Sequence, residues 1–211
     1  MPLLQFSDPP PLTSLPVLVP VERKRTIRSA FVERVAAGNP AAIAELFDEV
    51  APVVRGMLIR TLGATADVDD LVQDVFMVVI RRCRSLEKPE ALHSFVVGVT
   101  VRTAKKALRV RAMKRWVVWE ESHEAPPVTN TYNAIQAEQV RHTYAVLDRM
   151  GAEARLVFAL RHIEGLELTE AAAASGCSLA TFKRHLARAE KHFLALARRD
   201  PVLRELVEGE S

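Results

Sequence analysis

LTEAAAASGCSLATFKRHLARAEKHF, residues 168–193, is the stretch that decides how this chain folds. Thr169 is placed to cap a short helix, and Gly176 to end it, because a left-handed turn residue costs least as glycine. Ser178 caps the helix that follows. Along it, Leu179, Phe182, Leu186, Ala189 and Phe193 recur every three or four residues and define a buried face. The alanines Ala171–Ala174 let two helices approach closely. A short helix, a glycine turn and a capped amphipathic helix make the layout of a helix-turn-helix, whose second helix enters the DNA major groove. The outer face of that helix carries Ala180, Thr181, Lys183, Arg184, Ala187, Arg188 and Lys191. Small residues at its start permit approach to base edges. Basic residues further along pair with phosphate or guanine.

Outward from this stretch, helical periodicity dominates and no strand pattern stands out, so the chain reads as all-α. Residues 26–37 form a first helix. Asn39-Pro40 opens a second as N-cap and first helical residue, running to Leu62 with a kink expected at Pro52. Further helices are expected over 67–84, 90–118, 134–149, 152–162, 169–175 and 179–198, with a short segment after Pro201. Residues 120–133 turn acidic, then rich in Pro, Thr and Asn, which marks a linker. The organisation is therefore a proline-rich extended or disordered lead (1–25), a helical domain (26–119), a flexible linker (120–133), a helix-turn-helix domain (134–200) and a tail (201–211).

The 211 residues are 49% apolar, enough for a core, and carry a net charge of only +3, so local clusters say more than the total. No apolar run reaches the length of a membrane span. The lead has six prolines in its first twenty residues and no early basic residue, which argues against a secretory signal. Cys83 and Cys177 lie far apart in no metal-ligand spacing and read as reduced thiols in a cytoplasmic protein. There is no glycine-rich phosphate loop, no metal site and no paired catalytic acids, so neither an enzyme nor a cofactor is expected.

Two stretches of the first half carry chemistry. In DVDDLVQDVFMVVIRRCR, residues 67–84, the apolar stripe Leu71, Val72, Val75, Phe76, Val79, Ile80 and Cys83 is core. The other face holds Asp69, Asp70, Gln73 and Asp74, then Met77. Acids suit a helix N-terminus, but an acid-rich face with an apolar centre also suits docking on a protein. VTVRTAKKALRVRAMKRW, residues 99–116, has seven Lys or Arg and no acid. Val99, Ala104, Leu108 and Met113 are expected inward. Arg102, Lys105, Lys106, Arg109, Lys114 and Arg115 project as a stripe that attracts a polyanion. Trp116 and Trp119 either close the core or stack unpaired bases.

Taken together, these motifs resemble the sigma factors of bacterial RNA polymerase, in particular the extracytoplasmic-function group of the sigma-70 family, over roughly residues 31–197. The D-x-x-D-L-V-Q-D-V-F run, Asp67–Phe76, is the most specific piece. The resemblance implies docking on the polymerase β′ clamp helices through Asp70, Leu71, Gln73, Asp74, Phe76 and Met77. It implies −35 recognition by Thr181, Lys183, Arg184 and Arg188, with Ser178 as helix cap. It implies −10 DNA contacts from Arg102, Lys105, Lys106, Arg109, Arg111, Lys114 and Arg115. The family's −10 pattern, W-L-x-x-I-A-R-N-x-x-x-D-x-L-R, is altered here: Phe95, Thr100, Val101, Arg102 and Lys106 replace Trp, Ala, Arg, Asn and Asp. The implied function is an alternative sigma factor in the cytoplasm, associated with the nucleoid. Its partners are core polymerase, promoter DNA and, as in many of the group, an anti-sigma protein. The altered segment leaves open a second function, a sigma-like regulator that binds polymerase or DNA without initiating alone.

Overall fold

A computed structural model describes residues 29–83, 91–117 and 134–208. The lead 1–25, the linker 120–133, Trp119 and the side chains of Lys114, Arg115 and Trp116 lie outside the described residues. Nine α-helices are described: α1 Ser29–Ala36, α2 Pro40–Leu62, α3 Val68–Cys83, α4 Leu92–Val117, α5 Ala134–Asp148, α6 Ala152–Phe158, α7 Leu168–Ser175, α8 Leu179–Ala197 and α9 Leu203–Glu208. No strand occurs among the described residues.

Local signals set the helix ends. Asn39 caps α2, its side chain accepting the Ala42 N–H at 3.0 Å, and Pro40 takes the first helical position. Pro52 is exposed inside the continuous span of α2. Ser178 caps α8 by accepting the Thr181 N–H, and Gly176 closes α7 at φ 69°, where a side chain would be strained. Two expectations fail locally. Glu167, not Thr169, is the N-cap of α7, and it makes no side-chain cap. The helix over 152–162 stays α only to Phe158, then widens into a π segment, Ala159–Ile163, in which the Glu164 N–H donates to the Ala159 carbonyl at 2.8 Å.

Helices α1–α4 form one bundle, with α3 and α4 packed on α2, while α6, α7 and α8 pack together as the helix-turn-helix unit. The two units are not separate. Both α6 and α7 also pack on α4, and one continuous set of buried apolar residues runs through both. Residues Val96–Val101 are all buried, as six consecutive helical positions are only when neighbours cover every side.

The C-terminal end is pinned to α5. Asp200 meets Nδ1 of His142 at 2.9 Å and accepts the N–H groups of Val202 and Leu203. Burial pushes the Asp200 carboxyl up, but these hydrogen bonds outweigh it and leave it below its ordinary value. A depressed carboxylate contributes stability above its unfolded value, about 3.9, and loses it as pH falls through the folded value. Asp200→Asn is therefore expected to cost about 1 kcal/mol at neutral pH and to shrink the acid-side loss of stability below about pH 4. Urea titrations of both proteins across this range would check it.

Candidate functional site

Three surfaces carry the candidate residues. On α3, Val72, Val75, Val79 and Cys83 are buried against the bundle, and Leu71 and Phe76 are half-buried. The Phe76 ring meets Phe47 edge-on, with centroids 4.9 Å apart. The other face presents Asp69, Asp70, Gln73, Asp74 and Met77 to solvent, Met77 at 46% exposure. Asp69 is engaged by Arg55. Acids here also face the positive end of the α3 dipole, so the local fold tolerates the cluster without a partner.

On α8, Lys183, Arg184 and Arg188 are exposed, Thr181 is half-buried, and Ser178 holds the cap. Phe182, Leu186, Ala189 and Phe193 bury the opposite face. Leu179, expected on that face, is 38% exposed, because the first turn of α8 extends past the helices that cover the rest. Phe193 stacks on Phe158 with centroids 4.3 Å apart, which orients α8 against α6.

On α4 the basic residues separate into kinds. Arg102, Lys106 and Arg109 are exposed. Lys105 is paired with Glu153 at the start of α6, 2.9 Å away. Arg111 is mostly buried: it donates to the Leu62 carbonyl at 3.1 Å and pairs with Asp67 at 2.6 Å. Burial pushes the Asp67 carboxyl up; its bonds from Thr65 and Arg111 prevail and hold it below its ordinary value. Met113, expected inward, is 72% exposed, lying beyond the part of α4 that its neighbours cover. Val101, which replaces a family arginine, is 1% exposed.

Residues that the sequence did not single out join the units. The last carbonyls of α2 are orphan acceptors, as at any helix C-terminus. The Tyr144 hydroxyl donates to the Arg60 carbonyl at 2.6 Å and Arg155 Nε to the Thr61 carbonyl at 3.0 Å. Arg60 itself makes a two-pronged ion pair with Glu164, both contacts at 2.8 Å. Arg155 is fully buried and paired with Asp148; burial lowers its pKa against the opposing pull of that carboxylate. A signal was present: Arg155, Arg161 and Glu164 interrupt an otherwise apolar stretch, where a charge persists only with a partner.

Among the described residues no group of three His, Cys, Asp or Glu is arranged to hold a metal ion, and no helix is long and apolar enough to cross a membrane.

Comparison with known proteins matches these two units to two family models. Sigma-70 region 2 covers residues 46–113 and Sigma-70, region 4 covers residues 143–193. The ECF RNA polymerase sigma-E factor of Escherichia coli is 24% identical over 170 residues, spanning 76% of this chain and 88% of the relative. That of Haemophilus influenzae is 23% identical over 172 residues, spanning 77% and 90%. The chain belongs to the extracytoplasmic-function group of the sigma-70 family. Two solved complexes share the fold. CnrH in complex with the cytosolic domain of CnrY matches with a TM-score of 0.55 at 21% identity, over 81% of this chain and 97% of that one. RpoE in complex with the anti-sigma factor NepR from Bartonella quintana matches with a TM-score of 0.58 at 22% identity, over 74% and 96%. This sigma factor directs promoter recognition, with region 2 running from within α2 to α4 and region 4 from the end of α5 to α8.

Proposed function

We propose that this sigma factor docks core RNA polymerase through α3 and reads promoter DNA through α4 and α8, using binding energy rather than bond chemistry. The observation that carries this reading is the division of α3: one stripe is core, while Asp70, Gln73, Asp74 and Met77 stand exposed together. Leu71 and Phe76 hold that face in place from beneath. On α8, Lys183, Arg184 and Arg188 supply −35 contacts, with Thr181 and the Ser178 cap at the entering end. On α4, Arg102, Lys106 and Arg109 supply the −10 contacts with Lys105, Lys114 and Arg115, and Arg111 fixes the helix to α2. The helical domain spans 26–119 and the helix-turn-helix domain 134–200. Such a factor works in the cytoplasm at the nucleoid. An anti-sigma protein is a partner by analogy with RpoE, which is seen bound to one.

Run-off transcription with core enzyme and a selected promoter tests the function. Abundant transcript from an ordinary duplex supports it; polymerase binding with no open complex on any promoter sinks it. A second reading, a regulator that binds polymerase or DNA but does not initiate, is favoured by Val101: a buried valine takes no part in strand opening where the family has arginine.

Arg184→Ala is expected to cost about 1–3 kcal/mol of −35 discrimination if Arg184 contacts a base edge. Competition binding of the polymerase complex to matched and mismatched −35 sequences measures this. Equal weakening on all sequences would assign Arg184 to phosphate instead.

A further inference from the structure

The geometry points to a joint between the two working faces of region 2: Arg111 and Asp67 act as positioning residues that tie the DNA-reading helix α4 to the start of the docking helix α3, and so set the direction in which α4 meets the −10 element. This rests on the roles proposed for α3 and α4, and it takes Arg111 out of the −10 contacts that the resemblance implies. Arg111 Nη1 donates to the Leu62 carbonyl at 3.1 Å, an orphan acceptor at the end of α2. Its Nη2 donates to the Thr65 hydroxyl and to Asp67 Oδ1, both at 2.6 Å. The Thr65 hydroxyl donates in turn to the same Oδ1 at 2.6 Å, which closes a ring of three groups. Asp67 opens α3, its carbonyl accepting the Leu71 N–H. A carboxylate in that place ordinarily caps its own helix. Here its Oδ1 is given to the turn and to α4. One guanidinium thus grips the end of α2, the turn after it and the start of α3.

The place of this joint on α4 gives it its effect. Leu108 is the last buried residue of α4 among the described residues, and beyond it Val110 and Met113 are 43% and 72% exposed. The last turns therefore have little apolar packing to fix them, and Arg111, its side chain 13% exposed, is their anchor. The residues assigned to DNA flank it, with Lys106 and Arg109 before it and Lys114 and Arg115 after it. Arg102 and Lys106 are exposed, where a phosphate can reach them, and Arg111 is not. An arginine suits the anchor and a lysine does not, because three acceptors are held at once in the fixed directions of a planar fork. On the other side of the joint, Asp70 and Asp74 stand exposed in the first two turns of α3. Polymerase seated on them fixes α3, and the ring of Arg111, Thr65 and Asp67 carries that fixed direction to α4. A reading helix held before contact has less order to lose on binding.

Binding of the polymerase complex to a duplex that ends as a single strand within the −10 element of the selected promoter, and carries no −35 element, tests the joint. Asp67→Ala is expected to weaken binding about tenfold, the scale of one charge-assisted hydrogen bond. By charge alone, removing a carboxylate beside a polyanion would strengthen it. Arg111→Lys keeps the cation and loses the fork, so it should weaken binding nearly as much as Arg111→Gln. Neither Arg111 variant should change the slope of log affinity against log salt, since no phosphate contact is lost. Capture of core polymerase by all three should match the wild type. Unchanged or tighter binding by Asp67→Ala, full activity of Arg111→Lys, or a slope smaller by about one in Arg111→Gln would overturn the proposal. Should the Arg111 variants not fold, Asp67→Ala, at the half-exposed partner, decides by the sign of its effect. In thermal unfolding of the free chain, Asp67→Ala with Arg111→Gln should lower the melting temperature by less than the sum of the two, and additive shifts would overturn the joint. A wild-type complex that ignores the fork would strike the reading of α4 and leave this coupling to judge the joint.

Discussion

Asp74→Arg is expected to abolish capture by core polymerase, weakening it about a hundredfold or more, while leaving the fold intact. Asp74 is exposed in the middle of the polar face of α3, a turn from Asp70 and beside Gln73. Reversing a charge at the centre of a complementary interface replaces an attraction by a like-charge contact, which costs several kcal/mol, and about 2.7 kcal/mol is already a hundredfold. A surface substitution away from caps and buried pairs changes stability by only about 0.5 kcal/mol. Thermal unfolding should therefore be unchanged, and the variant should still bind a −35 duplex. Affinity capture of core enzyme by wild type and variant, with Asp48→Arg on exposed α2 surface as the control, decides the matter. Unchanged capture would remove α3 from the polymerase interface.

Phe158→Ala should produce the largest loss of stability, about 3–5 kcal/mol, the usual cost of deleting a buried aromatic ring. The ring is fully buried, stacks on Phe193 of α8 and lies 4.7 Å from the His162 ring, so its removal leaves a cavity in the core. For a chain of this size that lowers the melting temperature by about 10 °C. The stack with Phe193 contributes about 1 kcal/mol beyond area, so Phe158→Ala with Phe193→Ala should cost less than the sum of the two. Calorimetry of the four proteins gives the coupling. Because α8 is oriented by this stack, −35 binding should fall with stability even though no DNA contact is touched.

The sequence was most informative where the cause of structure is local. Asn39-Pro40 opens α2 and Leu62 ends it as expected, and Val72, Val75 and Val79 mark the buried stripe of α3, because caps and periodicity act over a few residues. The exposed residues of α8 fall on the expected face for the same reason. Met113 and Leu179 go the other way. Each continues its helical period correctly, but near the end of a helix the neighbour that would cover it is missing, and only tertiary placement reveals that. The resemblance counted Arg111 among the −10 contacts, yet its partner is the Leu62 carbonyl, 49 positions away. Tyr144, Arg155 and Glu164 reach partners 84 to 104 positions away, beyond any local pattern. The two domains were therefore legible and their embrace was not.

The wide turn at Ala159–Ile163 gives this last point a sharper form. A π turn houses one residue more than the α turn it interrupts. Wound instead as a regular α-helix, the same residues would carry everything beyond the turn about 100° further round. Glu164 would then swing off Arg60 with its own identity intact. The pairing that joins the halves is thus encoded in spacing as much as in side chains, and a single-codon insertion beyond what the wide turn holds would undo it where no substitution had occurred. Relatives with one residue more at this point should part their two halves more readily.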